Sequence, residues 1–231
     1  MKLDFESLGL AQNPTTPPRH IAVEGAIGVG KTTLARNLAE TFGYETLLEL
    51  PEENPFLERF YADPRPNALP TQLHFLFQRT RQLQEASQVD MFSGGRVSDF
   101  LIDKDPIFAE VTLDEDELRL YRMVYDQLTI DVPQPDLVVY LQAPTEVLQK
   151  RIRGRGLASE QAIASDYLAK LNEAYASYFH YYRESPLLIV NASDVNLAES
   201  QEDYADLVQY LLNISSGTHY YNPIAQKQGT K

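Results

Sequence analysis

Apolar residues recur along this chain with two periods, and segments of the two kinds alternate. Ile21 to Val23 is a short apolar run ending at Gly25, the mark of a buried strand. Thr33 to Phe42 then carries apolar residues at 34, 35, 38, 39 and 42, a helical stripe that Gly43 ends. Thr46 to Leu48 predicts a second strand, and Pro55 to Tyr61 and Leu69 to Ala86 predict helices. Val97 and its neighbours form a short third strand after Gly94-Gly95. Leu113 to Ile130 predicts a helix stopped by Pro133, Leu137 to Leu141 a strongly apolar fourth strand, and Thr145 to about Arg153 the helix after it. Ile163 to Tyr182 is helical, Leu187 to Val190 is a fifth strand, and Asp203 to Leu212 is the last helix. Strands alternating with helices imply an α/β fold, a parallel sheet of five strands with helices on both faces. Residues 1–19, with four prolines and no clean period, predict an N-terminal arm; 20–213 form the domain, and 214–231 predict a flexible tail.

Composition narrows what such a fold does. A chain of 231 residues, 43% hydrophobic, buries one good core. A net charge of -13 disfavours binding to nucleic acid, so any polyanionic ligand is small and held by local charge. Cysteine is absent, which excludes disulfides and thiolate metal sites. No apolar run approaches a membrane span, and the first twenty residues carry no targeting pattern, so a cytoplasmic protein without a membrane partner is expected.

The sharpest chemical signal is Gly25-Ala26-Ile27-Gly28-Val29-Gly30-Lys31-Thr32, followed by Thr33. Glycine, four residues, then Gly-Lys-Thr is the P-loop pattern: small residues let backbone N–H groups wrap a phosphate, and the following helix points its N-terminus at it. Lys31 adds charge at the transferred phosphoryl group, and the Thr32 hydroxyl reaches Mg²⁺. A three-layer P-loop NTPase-like fold using ATP follows. Ligands of open α/β sheets lie beyond the carboxyl ends of the strands, where Glu49 closes the second strand and Asp99 the third. Glu49 there is a general base, a Mg²⁺ partner, or part of a solvated acidic loop with Glu52 and Glu53. Gln72 and Arg79 share one helix face around Phe75 and Leu76, which suits recognition of a flat base, although two polar residues at the edge of a core helix are the favoured reading of the spacing alone. Lys150 to Arg155 place four cations in six positions, either a helix end complementing its dipole or an arginine-bearing lid.

Together these residues resemble the deoxynucleoside kinase family, from about Ile21 to Leu212. The bacterial branch is the nearer, through Glu-Asn-Pro-Phe-Leu at 53–57, Phe-Tyr at 60–61, Ser-Asp-Phe at 98–100 and Ile-Phe-Ala at 107–109. The resemblance implies ATP- and Mg²⁺-dependent phosphorylation of a deoxynucleoside 5′-hydroxyl in nucleotide salvage. It implies Glu49 as catalytic base, with Lys31, Arg151 and Arg155 at the phosphates. Tyr61 and Glu160 would contact the sugar; Gln72, Arg79 and Asp105 would contact the base; Thr32 and Asp99 would hold the metal. It also implies a homodimer through helices matching 69–90 and 114–130, and deoxyadenosine and deoxycytidine as favoured substrates, with deoxyguanosine open. Two positions depart from the family pattern: arginines near the transferring phosphate are replaced by Phe100 and Leu157, with Lys104 and Arg153 the nearby cations. A nucleoside monophosphate kinase and a non-catalytic structural relative are the alternatives. The former expects an Asp-Arg pair where this chain has Asp99-Phe100, and the intact Lys31 and Glu49 argue against the latter.

Overall fold

A computed structural model describes residues 16–89, 94–128, 132–157, 159–193 and 200–222. Strands β1 (His20–Glu24) and β4 (Leu137–Gln142) lie at the centre of the sheet, and every residue of β1 is buried. A strand buried on both faces calls for apolar side chains, which is why Ile21–Val23 of β1 and Leu137–Leu141 of β4 read as apolar runs, with His20 and Glu24 at the ends of β1. The others are β2 (Glu45–Leu47), β3 (Arg96–Ser98), β5 (Leu187–Asn191) and β6 (Thr218–Tyr221), in the order β2-β3-β1-β4-β5-β6. All pairs are parallel, with Ile21 opposite Val97 on one side and Leu137 on the other.

The sheet therefore has six strands, not five. The sixth falls within the stretch read as a flexible tail, so the ordered domain runs past residue 213. Thr-His-Tyr-Tyr has neither an apolar run nor alternation to announce it. Its place is set by pairing with β5 and by Tyr221, 2% exposed, whose ring packs 5.5 Å from that of Tyr210. Residues 223–231, like 1–15 of the arm, lie outside the described residues. The end of the arm is tied down: the carbonyl of Arg19 accepts from Arg96 N at 2.6 Å.

Eight helices are described: α1 (Lys31–Phe42), α2 (Leu57–Ala62), α3 (Pro64–Val89), α4 (Asp105–Thr112), α5 (Glu115–Leu128), α6 (Thr145–Arg155), α7 (Ser165–Tyr181) and α8 (Gln201–Leu211). α3 begins five residues earlier than the pattern predicts. Pro64 and Pro66 fall in its first turn, where an N–H has no intrahelical partner anyway, and only Pro70 lies inside the helix. The pattern does not predict α4. It is eight residues long, and its opening Asp105-Pro106 has the composition of a turn. The main core surrounds the sheet and includes a stack of Tyr140 on Phe179 at 4.2 Å. A second cluster of Leu76, Leu83, Phe100, Ile102, Ala109 and Tyr121 lies under α3 and α5. The chain passes from β1 out to β2, back to β3, and across to β4. The loops after β1, β2 and β3 therefore converge at one edge, where the strand order reverses.

Candidate active site

The loop after β1 has a backbone that side chains would obstruct. Gly25 has φ +145°, and a Cβ there would stand 2.4 Å from the carbonyl oxygen of Leu141. Gly28 has φ +84°, and its Cβ would meet Ile152 of α6 at 2.7 Å. Ala26 and Val29 turn into the core, Ile27 is half-buried, and Thr33 is exposed on α1. Gly30, also at positive φ, leads into Lys31, the first residue of α1, so the loop sits on a helix N-terminus. Lys31 Nζ donates to the carbonyls of Gly25 (2.9 Å) and Ala26 (3.4 Å). Burial, then the neighbouring Lys104, lowers its pKa. Thr32 Oγ1 donates to Asp99 Oδ2 at 2.5 Å, and Asp99 Oδ1 accepts from Glu49 N at 2.7 Å. One carboxylate thus ties the loops after β1, β2 and β3 together.

Beside it runs a chain of buried charges. Arg79 of α3 donates through Nε to Glu49 Oε1 (2.7 Å) and through Nη1 to Asp105 Oδ1 at the start of α4. Lys104 Nζ meets Glu49 Oε1 and stands 3.5 Å from Glu24 Oε1, at the end of β1. Glu24 also accepts from Gly25 N, Leu101 N and the hydroxyl of Tyr175. Burial by itself would raise the Glu49 pKa; Arg79, Lys104 and Lys31 outweigh it and hold the carboxyl well below the usual range. At Asp105 burial wins over the pull of Arg79 and Lys104, and its pKa is raised. Asp105 Oδ2 is buried and has no hydrogen-bond partner among the described residues, which carries a desolvation cost.

Both groups open onto one cavity. Lys31, Thr32 and Asp99 line one part of it with Glu49, while Tyr61, Gln72, Phe75 and Arg79 line its walls. Gln72 and Arg79 are each 4% exposed, and Arg79 lies 4.7 Å over the Phe75 ring. Burial, then Glu160 and Glu49, raises the Tyr61 hydroxyl. Arg155 at the end of α6 and Glu160 in the following turn also line the cavity and pair at 3.3 Å. Arg151 does not line it. Its guanidinium donates to the carbonyls of Val29 (3.2 Å) and Ala192 (2.7 Å), bracing α6 against the P-loop and the end of β5. Asp105 stands behind Arg79, not in the cavity wall.

Of the expected residues, Ile27, Gly28, Lys31, Thr32, Glu49, Tyr61, Gln72, Arg79, Asp99, Arg155 and Glu160 line the cavity; Gly25, Ala26, Val29, Gly30 and Thr33 do not, and Arg151 and Asp105 stand one contact behind it. The sequence pattern misses Glu24, a charge at the end of a fully buried strand, and the apolar and aromatic walls Leu57, Phe60, Phe108 and Tyr167. An acid in the run His-Ile-Ala-Val-Glu was the available signal for Glu24; Phe60 and Phe108 entered only as parts of the family motifs at 60–61 and 107–109, with no role in the cavity assigned.

Comparison with known proteins gives the family and agrees with the fold. A profile described as "Deoxynucleoside kinase" matches residues 21–214. The chain belongs to the deoxynucleoside kinase family. It is accordingly a phosphotransferase. It is 38% identical to a deoxyguanosine kinase of Bacillus subtilis (strain 168) over 156 residues, 67% of this chain and 75% of that protein. It is 28% identical to the deoxyadenosine/deoxycytidine kinase of the same strain over 202 residues, 84% of this chain and 92% of that one. Among solved structures, deoxyadenosine kinase from M. mycoides with bound dATP superposes with a TM-score of 0.73 at 28% identity, covering 84% of this chain and 99% of that one. The same enzyme with bound dCTP gives 0.72 at 27% identity, covering 84% and 98%. Among the described residues no helix is long and apolar enough to cross a membrane.

Proposed function

We propose that this kinase transfers the γ-phosphoryl group of ATP to the 5′-hydroxyl of a deoxynucleoside in nucleotide salvage. The observation that carries the reading is the single cavity in which Glu49 lies between the P-loop residues Lys31 and Thr32 and the buried pair Gln72 and Arg79. The phosphate donor belongs at the loop, the base between Gln72 and Phe75, and the sugar at Tyr61 and Glu160. The 5′-oxygen bonds to the γ-phosphorus as the bond to ADP breaks, and Glu49 takes the hydroxyl proton. Arg155 and Lys31 lie where phosphoryl charge develops, and Arg151 supports the loop from behind.

Thr32 Oγ1 and Asp99 offer adjacent hard oxygens at the head of α1, a donor set that fits Mg²⁺ completed by phosphates and water. Bound there, the ion would neutralise charge on the phosphates. Deoxyadenosine and deoxycytidine suit the donor and acceptor of Gln72, with Arg79 held beside it in the cavity wall by Asp105 from behind. The higher identity to a deoxyguanosine kinase favours deoxyguanosine as a second reading. Cytoplasmic location and a homodimer complete the proposal; exposed Phe77 on α3 and Leu120 and Met123 on α5 offer an apolar surface for a second copy.

A coupled assay of ADP release over the four deoxynucleosides and their monophosphates tests the reading. Turnover with nucleosides and none with monophosphates is expected. Turnover with monophosphates alone would overturn it.

A further inference from the structure

Glu49 is held in an asymmetric way. Arg79 Nε and Nη2 and Lys104 Nζ all contact Oε1, and among the described residues no cation or donor pairs with Oε2. Lys104 is 1% exposed, with its ammonium 6.0 Å from the ring centre of Phe100 and 5.9 Å from that of Phe108. Burying an ammonium this deeply is costly and calls for compensating partners. Neutralising Glu24 is not a sufficient reason, because that carboxylate already accepts from two backbone N–H groups and the Tyr175 hydroxyl. The closer contact of Lys104 is to Glu49. Arg153, the other cation near the departures at Phe100 and Leu157, is exposed and does not line the cavity.

We propose that Lys104 is a positioning residue for Glu49: with Arg79 it clamps Oε1, fixes the plane of the carboxylate, and leaves Oε2 for the substrate hydroxyl. Arg79 alone comes from one side, on α3, and is shared with Asp105. Lys104 comes from the turn after β3 and supplies the second point that stops the carboxylate from rotating. Phe100 and Phe108 flank the ammonium on faces that attract a cation. This inference rests on the proposed role of Glu49 in 5′-phosphorylation and assigns the cation that this role needs.

The absence of cysteine makes a clean test available. Lys104→Cys is alkylated in urea with 2-bromoethylamine, which restores an ammonium at lysine length, or with 1-bromopropane, which restores the shape without the charge. Both products are refolded beside wild type treated identically, and thermal melts check folding. The propyl form should lose about tenfold or more in kcat, with nucleoside KM changed by less than about threefold, because Lys104 pairs with the Glu49 and Glu24 carboxylates and not with Gln72, Tyr61 or Glu160. The aminoethyl form should recover to within about threefold of refolded wild type. Should the propyl form fail to fold, Lys104→Met combined with Glu24→Gln removes one stranded carboxylate together with the cation, and should show the same kcat loss. Equal turnover in the aminoethyl and propyl forms, or a loss confined to KM, overturns the role of Lys104. A wild type that phosphorylates no deoxynucleoside overturns instead the reading on which the inference rests.

Discussion

At the scale of single residues, the site is organised by Glu49, whose backbone N–H binds Asp99 and whose carboxylate binds two cations. If it accepts the hydroxyl proton, Glu49→Gln should cost roughly 10² to 10⁴ in kcat with nucleoside affinity little changed. Steady-state kinetics and a binding titration check this, and near-wild-type kcat in a folded variant would remove Glu49 from the chemistry. Arg79 is less simple than its spacing from Gln72 implies, because it binds Asp105 and Glu49 at once. Replacing it should therefore lower kcat with every nucleoside, since buried Asp105 loses its ion-pair partner and Glu49 one of its two cations. Asp105→Asn is the sharper probe of base choice. It keeps the side chain's shape, leaves Arg79 on Glu49, and removes the charge that holds Arg79 from behind the cavity wall. The Gln72 carbonyl would meet the amino group of adenine or cytosine, and a buried acceptor left without a donor costs about 1 to 3 kcal/mol, so wild type should favour deoxyadenosine and deoxycytidine over thymidine by about tenfold or more in kcat/KM. Asp105→Asn should narrow that ratio, and a wild type that prefers thymidine contradicts this account of the pocket.

At the scale of elements, the central strands show how position sets chemistry. His20 opens β1, is 9% exposed, and lies 3.3 Å from Ser98 Oγ through Nε2. Burial, then the charge of Arg96, lowers its pKa from 6.5 to about 4, against an opposing pull from Asp136. The unfolded chain therefore takes up the proton first as pH falls. The stabilising contribution is complete above pH 6.5 and is lost between there and about 4, a total of about 3 kcal/mol. Urea unfolding of wild type and His20→Gln at several pH values measures it, since titrations elsewhere cancel in the difference. A difference that does not change with pH would contradict the assignment. Strand and helix periods were legible for all the long elements. Two elements were not: α4 opens on the turn-like Asp105-Pro106 and β6 reads Thr-His-Tyr-Tyr without an apolar run, and β6 is held by pairing with β5, distant in sequence.

At the scale of the whole molecule, the surface over α3 and α5 carries Phe77, Leu120 and Met123 at 53%, 50% and 69% exposure. If a second copy covers this face, Met123→Glu should convert dimer to monomer, because an unpaired charge at an apolar interface opposes association. Light scattering during gel filtration reports the mass, and a monomeric wild type would rule out the dimer.

The P-loop was determined by local sequence alone, since its glycines, Lys31 and Thr32 are adjacent and the strand and helix around it are predicted by their own periods. The alternation of strands and helices likewise implied the parallel sheet. The electrostatic design of the site could not be read this way. Glu24, Glu49, Arg79, Lys104 and Asp105 lie on separate elements, and no spacing rule tells which carboxylate meets which cation. The strand order decides it by bringing the ends of β1, β2 and β3 together beneath α3, where low exposure makes each pairing obligatory.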